Sequence, residues 1–142
     1  MHNLEWNELA HLDITVLDQE HRGLVDIYRE LYAAVEAKAS GMVLYFLLHK
    51  LTTHAEQHFK SEDFLMALSA YPEAARHRDV HKGLLTQVAE VTRDFGDHPE
   101  TLSTLLLATL REWLVAHTLA EDTPLAQWLI ATKLPIPDQF PK

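Results

Sequence analysis

Side chains that can bind metals recur along this chain at a spacing that limits how it can fold. They are His21, the pair His58 and Glu62, the pair His77 and His81, and the pair His117 and Asp122. Residues four apart on a helix share a face, and the two middle pairs have that spacing. Imidazole and carboxylate groups are ligands for transition metals. The pattern therefore predicts a metal site to which several helices contribute.

Apolar residues around these positions repeat every three or four residues, which is typical of helices with one buried face. The expected helices cover about residues 18–38, 42–67, 73–95 and 100–120, with an extended arm at 1–17 and a short C-terminal segment after Thr123-Pro124. Asp18 is the expected N-cap of the first helix. Short connections and a sequence without strand patterns predict an all-α, up-down-up-down four-helix bundle that forms a single domain over residues 1–142.

The candidate ligands lie on the apolar stripes of these helices. His58 and Glu62 continue a stripe of leucines, and a buried glutamate without a partner costs several kcal/mol. One histidine on such a face is more often a hydrogen-bonded core residue than a ligand. Two spaced pairs on separate helices, with His21 and His117 on the other two, favour a metal site. Antiparallel packing would bring all of them to one end of the bundle.

Asp122 does not fit a regular helix with His117. Five residues of α-helix rotate a side chain by about 140°. The carboxylate can join the site only if the helix ends or loosens, and Thr123-Pro124 is the expected end. The alternative is a surface carboxylate or a cap for the following segment.

Composition excludes several other functions. The chain has 142 residues, a net charge of −9 and no cysteine, so any metal must take nitrogen and oxygen ligands. The negative charge argues against a nucleic-acid partner. No apolar run reaches the roughly 18 residues that span a membrane. The first residues lack a basic stretch followed by an apolar one, so we expect that they are not a secretory signal. We expect a cytoplasmic protein without membrane contact.

The ordered ligand pattern resembles the hemerythrin family, most closely its bacterial single-domain members. Further likeness comes from the residues near the ligands, namely Trp6, Leu17-Asp18, Arg22, Leu24, Phe59, Asp63, Met66 and Trp113-Leu114. The resemblance implies two non-haem iron ions joined by an oxo or hydroxo bridge. It implies that His77, His81 and His117 hold one iron, that His21 and His58 hold the other, and that Glu62 and Asp122 bridge them.

The same resemblance implies that dioxygen binds at an open position on the second iron. The implied oxygen pocket is formed by Trp113, Leu114 and Thr118. The family commonly has isoleucine or leucine where this chain has Thr118. The Thr118 hydroxyl would either face the pocket and hydrogen-bond to bound oxygen, or donate to the backbone carbonyl one turn earlier.

Two other positions depart from the family pattern. His54 replaces a common tyrosine, and it would act either as a hydrogen-bonded polar residue in the core or as a second layer of support around the metal. Asp13 replaces a glycine of the arm, which leaves the path of the arm open.

Three functions fit this reading. The first is reversible dioxygen binding by a carrier, store or sensor, which we expect rather than an enzyme. The second is a di-iron enzyme acting on peroxide or nitric oxide, and the third is an iron-handling module. We expect a monomer, with a separate redox or protein partner left open.

Overall fold

The protein is a bundle of helices, described by a computed structural model for residues 4–5, 11–98, 104–138 and 140. The elements are α1 (Thr15–Glu36), α2 (Gly41–Ser69), α3 (Ala74–Asp97), α4 (Thr104–His117), a π-helical segment (Thr118–Asp122) and α5 (Thr123–Thr132). The predicted four-helix bundle is confirmed. Trp6 and the expected helical residues 100–103 lie outside the described residues.

The first helix begins earlier than expected, and Asp18 is not its N-cap. The N-cap is Ile14, and α1 starts at Thr15. The Asp18 carboxylate instead accepts hydrogen bonds from the backbone N–H groups of Leu12 at 2.9 Å and Asp13 at 3.1 Å. Asp18 therefore fixes the end of the arm from inside the helix. Asp13 has a φ of 60°, the left-handed conformation that aspartate tolerates better than most residues.

Residues in left-handed conformation follow three helices of the described part, namely Lys38 after α1, Ala70 after α2 and Lys133 after α5. α2 continues past the expected residue 67 to Ser69, and Ala70 follows with a φ of 53°, while Lys133 follows α5 with a φ of 57°. Ser40 caps the start of α2, where its side chain accepts from the Val43 N–H. None of the helices in the described part of the chain combines the length and the apolar character that crossing a bilayer requires.

Two apolar clusters fill the interior. The bundle cluster joins α1, α2, α3 and α4 and includes Leu24, Tyr28, Leu48, Phe59 and Leu110. The arm-side cluster joins the arm, α1, the end of α2 and α5, and it includes Leu12, Leu17, Leu65, Met66, Leu125 and Leu129. Along α1, α2 and the α4–α5 stretch, the candidate ligands lie between residues of the two clusters. The predicted site is therefore a polar layer between two apolar ones.

The last helices form one continuous rod. The expected break at Thr123-Pro124 is absent, because α4 passes through the π-helical segment directly into α5. Pro124 lies in the first turn of α5, where a missing N–H is tolerated. Buried Leu125, Ala126 and Leu129 then hold α5 against the arm-side cluster.

Candidate metal centre

All seven candidate ligands converge in the buried layer between the two clusters. Glu62, His77 and Asp122 are completely buried, and the least buried member, His117, exposes 9% of its surface. Their ligand atoms form two overlapping groups, each with all atoms within 4.8 Å of one another. The larger group consists of Glu62, His77, His81, His117 and Asp122, and the smaller consists of His21, His58, Glu62 and Asp122.

The two carboxylates are shared between the groups in a regular way. Glu62 Oε1 lies 3.0 Å from His77 Nε2 and 2.8 Å from His81 Nε2. Its other oxygen, Oε2, lies 3.4 Å from His58 Nε2. Each group of histidines therefore faces a different oxygen of Glu62.

Asp122 repeats this arrangement. Its Oδ1 lies 3.1 Å from His117 Nε2 and 3.4 Å from His77 Nε2, both in the larger group. Its Oδ2 lies 3.0 Å from His21 Nε2 and 3.8 Å from His58 Nε2. Two carboxylates that each present one oxygen to each group are suited to bridge two cations.

The donor atoms fit a metal better than they fit one another. Among the described residues, Glu62 Oε2, His81 Nε2, His117 Nε2 and Asp122 Oδ1 are buried without a hydrogen-bond partner. Buried polar atoms are rarely left unpaired. His21 Nε2 and His58 Nε2 also lie only 3.0 Å apart, and all five imidazoles turn Nε2 inward. Metal ions would satisfy these atoms together, so the residues present fit a metal centre.

The π-helical segment brings Asp122 to the site. The Thr123 N–H donates to the Thr118 carbonyl, five residues earlier, which is the hydrogen bond of a π-helix. The wider turn places His117 and Asp122 on the same side, as their contact shows. The helix loosens there instead of ending. Single π turns of this kind often occur at functional sites.

Glu20 orients His58 from outside the centre. The Glu20 carboxylate accepts from His58 Nδ1 at 2.9 Å and from the Ser61 hydroxyl at 2.8 Å. A proton held on Nδ1 leaves Nε2 as the free ligand atom, so this contact selects the tautomer a metal needs. His54 lies one step further out, where its Nε2 hydrogen-bonds the Glu20 carbonyl at 3.0 Å. His54 thus supports the Glu20 backbone and is not among the converging donors.

Phe59 orients a second ligand by stacking. Its ring lies parallel to the His81 ring, with centroids 3.9 Å apart and an angle of 11°. It also makes an edge contact with His117, at 5.7 Å between centroids. Because Phe59 belongs to the bundle cluster, this contact fixes the rings of two ligands to the apolar core.

A small apolar cavity adjoins the smaller ligand group. Its volume is about 50 Å³, and His21, His58, His117 and Asp122 form its polar end. Trp113, Leu114 and Thr118, the expected pocket residues, are part of its lining. The Thr118 hydroxyl, however, donates to the Leu114 carbonyl at 2.7 Å. Of the two alternatives for Thr118, the structure has the backbone hydrogen bond, so the hydroxyl is not available to donate into the pocket.

The carboxylates change how the buried histidines bind protons. Burial lowers the pKa of His77, but the adjacent carboxylates of Asp122 and Glu62 outweigh burial and raise the pKa to about 9. Burial likewise opposes protonation of His58, yet the negative charge of Glu62 and the nearby Asp122 carboxylate raise its pKa well above the usual range.

The carboxylates respond in the opposite direction. Burial alone would raise the pKa of Asp122, but the adjacent imidazoles of His117 and His21 hold it well below its usual range. Burial and the charge of Asp122 would raise the pKa of Glu62, but His58 and His77 bring it far below normal. Both carboxylates therefore keep the negative charge that cations require.

Fold and site together define a helical bundle with a buried histidine–carboxylate metal centre. The model of the hemerythrin HHE cation binding domain matches residues 12–129. The chain belongs to the hemerythrin family, as the sequence pattern predicted.

Individual relatives agree with this assignment. The chain is 30% identical over 122 residues to a bacteriohemerythrin of Stenotrophomonas maltophilia, covering 84% of this chain and 76% of that protein. It is 25% identical over 122 residues to a bacteriohemerythrin of Pseudomonas aeruginosa PAO1, covering 86% and 78%. Its fold is similar to that of a crystal structure of wild-type hemerythrin, with a TM-score of 0.80, 22% identity and coverage of 91% and 98%.

Sequence reasoning does not find every residue that shapes the centre. Glu20 and Ser61 contact each other across α1 and α2, and no spacing within one helix marks such a pair. Phe59 belongs to the family pattern, but the pattern assigns it no role. A carboxylate directly before His21 is the one signal in the sequence that points to Glu20.

Proposed function

We propose that this chain binds two iron ions in the buried layer and that the loaded protein binds dioxygen reversibly. The proposal depends mainly on one observation, namely that Glu62 and Asp122 each present one oxygen to each of two histidine groups. Membership in the hemerythrin family supports iron as the metal. When bound, a pair of iron ions supplies reversible redox chemistry toward dioxygen.

The unequal donor groups support an open position on one side. The larger group has five residues and the smaller has four. A reactive metal site differs from a closed one by keeping a coordination position for an external ligand. The cavity is lined by three of the four members of the smaller group, His21, His58 and Asp122, and by two of the five members of the larger group, His117 and Asp122. Most of the smaller group therefore faces the free space.

The cavity suits a small apolar gas. At about 50 Å³ it exceeds the volume of roughly 10–15 Å³ that one water needs, so a diatomic molecule fits. Leu24, Leu51, Val88 and Leu110 give it apolar walls that offer no hydrogen bonds to water. With the Thr118 hydroxyl bonded to the backbone, we infer that few protons reach the pocket, which favours release of intact dioxygen over its reduction.

The test is reversible oxygen binding by the iron-loaded chain. The protein is loaded with iron(II) without air, analysed for metal, exposed to oxygen and then returned to anaerobic conditions, while visible absorption is recorded. We expect two irons per chain and a spectrum that appears with oxygen and disappears on its removal. The zinc-loaded chain is the control, because zinc has no redox chemistry.

Other outcomes separate the alternatives. One iron or fewer per fully loaded chain would reject the two-metal site. Two irons with immediate, irreversible oxidation and consumption of added peroxide would favour the enzyme. Rapid loss of iron to a weak chelator would favour the iron-handling module. The monomeric and cytoplasmic state expected from the sequence remains a prediction.

A further inference from the structure

An ion-pair cluster joins α3 to the π-helical segment on the outside of the centre. Arg76 Nη1 lies 3.0 Å from Glu121 Oε1 and 2.8 Å from Glu121 Oε2. Arg76 Nε also donates to Glu73 Oε2 at 3.2 Å, which holds the guanidinium from its own helix. Glu121 exposes only 17% of its side chain, so its carboxylate is mostly covered. We call Arg76, Glu73 and Glu121 the α3–π clasp.

Arg76 and Glu121 of the α3–π clasp each directly precede a candidate ligand in the sequence. Arg76 directly precedes His77, and Glu121 directly precedes Asp122. The clasp thus joins the backbones of two ligands that face each other across the centre, with His77 Nε2 3.4 Å from Asp122 Oδ1. A movement of the π-helical segment away from α3 would stretch the clasp and this ligand contact together.

The inner side of the π-helical segment is buried at Thr118 and Asp122, and the Thr118 hydroxyl donates to the Leu114 carbonyl, whereas its outer side has little packing. Its five residues carry the rare i to i−5 hydrogen bond from the Thr123 N–H, and the Thr123 hydroxyl also bonds the Thr118 carbonyl at 3.2 Å. Leu119 is 53% exposed, so the outer side of the segment packs little. A regular α-helix at this point would turn Asp122 away from His117.

We propose that Arg76 is a positioning residue, which through Glu121 holds the π-helical segment in the conformation that keeps Asp122 between the two groups of histidines. This inference rests on the proposed two-metal function. The side-chain partners of Arg76 among the described residues are Glu73 and Glu121, and neither is a metal ligand. Arg76 therefore does not contact a candidate ligand through its side chain, and it acts on Asp122 through the Glu121 backbone.

The experiment measures how fast iron(II) leaves the anaerobic, fully loaded protein into an excess of a strong chelator. The variants are Arg76→Gln, Glu121→Gln and Arg76→Lys, with Arg78→Gln as the control, since Arg78 is exposed on the same helix. We expect release to become about two- to fivefold faster in both Gln variants, the factor for one partly exposed ion pair. Arg76→Lys keeps the charge and should recover part of the parent rate.

Two further measurements distinguish a positioning role of Arg76 from a general contribution to fold stability. Thermal unfolding of the metal-stripped variants reports fold stability, and the absorption spectrum of the cobalt(II)-loaded variants reports ligand geometry. A positioning role requires faster release and an altered cobalt spectrum in Arg76→Gln. Parent-like release and an unchanged spectrum in both Gln variants would overturn the inference, even if their metal-stripped forms melt earlier.

Failure of the wider proposal gives a different result. A parent chain that holds no metal would overturn the two-metal function and this inference with it. A parent that holds two irons but does not bind oxygen would overturn only the oxygen function, and the release rates would still decide the role of Arg76.

Discussion

At the scale of single residues, Glu62 has the most demanding position in the molecule. It is completely buried, contacts three histidines and faces both ligand groups. We expect Glu62→Gln to bind fewer than two irons, because the amide removes the charge that two cations need. Glu62→Asp keeps the charge but shortens the reach, so it should retain more metal. Anaerobic iron analysis of the purified variants measures this.

Glu56→Gln is the matched control for that measurement. Glu56 lies on α2 like Glu62, but it is exposed to solvent. Its variant should bind as much iron as the parent. A Glu62→Gln protein that also holds two irons per chain would show that Glu62 does not bridge.

Thr118 leads to a prediction of no change. Its hydroxyl donates to the Leu114 carbonyl, and its methyl group is what remains to face the cavity. Thr118→Val keeps the shape and removes the hydroxyl. We therefore expect the oxygenated forms of parent and variant to oxidise at rates within about a factor of two. A rate at least tenfold lower in Thr118→Val, with equal iron content, would place the hydroxyl in the oxygen chemistry, since tenfold corresponds to about 1.4 kcal/mol.

At the scale of helices, the sequence predicts which elements form and which faces meet. The four-residue spacing of His58 with Glu62, and of His77 with His81, is enough to predict that both members of each pair face the same site. This is because the spacing is a property of a single helix. The position of Asp122 in the site is harder to predict from the sequence. It depends on a π turn, and spacing alone does not distinguish a π turn from a helix end. The prediction that Asp18 is the N-cap of α1 is wrong. Asp18 lies inside α1, and its carboxylate instead accepts a hydrogen bond from the backbone of the arm at Leu12. Contacts between helices, such as Glu20 with His58, leave no periodic signal.

The contact between α1 and α2 favours a glycine at position 23. A Cβ at Gly23 would lie 2.6 Å from His54 Cε1 and 2.7 Å from His54 Nε2. Alanine normally stabilises a helix interior over glycine by about 1 kcal/mol. At Gly23 it would displace the His54 ring from the Glu20 carbonyl, and the lost hydrogen bond offsets the gain by about 1 kcal/mol. We expect Gly23→Ala to be neutral or destabilising in chemical denaturation.

Gly83 provides the control for this prediction. It lies in α3, where an added Cβ would meet no neighbouring atom of the described residues within 4 Å. Gly83→Ala should therefore stabilise the protein by about 0.5–1 kcal/mol. In a protein that already carries His54→Ala, the Gly23→Ala change should also stabilise the fold, because the imidazole ring that would clash is absent. Equal stabilisation by Gly23→Ala and Gly83→Ala in the parent would contradict the proposed constraint.

At the scale of the whole molecule, the buried charges make stability depend on pH once metal is removed. The pKa values of His58 and His77 are raised in the folded state, the latter to about 9. Their stabilising contribution is complete below the ordinary value of 6.5 and is lost as pH rises through about 9. The lowered pKa values of Glu62 and Asp122 contribute above their ordinary values of 4.5 and 3.8 and are lost as pH falls.

The metal-stripped protein should therefore be most stable between about pH 4.5 and 6.5, and its melting temperature should fall from pH 6.5 to 9. Metal binding requires neutral imidazoles, so the loaded protein should not show this fall. Thermal unfolding of both forms at several pH values measures the difference. A metal-stripped protein with the same melting temperature at pH 6.5 and 9 would contradict it.

The polar layer between the two apolar clusters affects how the molecule comes apart. His21 and Asp122 are 101 residues apart in sequence and meet in that layer, so a metal held there ties distant parts of the chain together. Asp122 directly precedes α5, so metal bound at Asp122 would restrain the start of α5, and we expect the loaded molecule to unfold as one cooperative unit. Without metal, we expect the polar layer to stabilise the fold less, so that the arm and α5 unfold locally while the bundle cluster stays folded. Amide exchange should then be faster in Leu125–Leu129 than in Leu44–Leu51 only in the metal-stripped form.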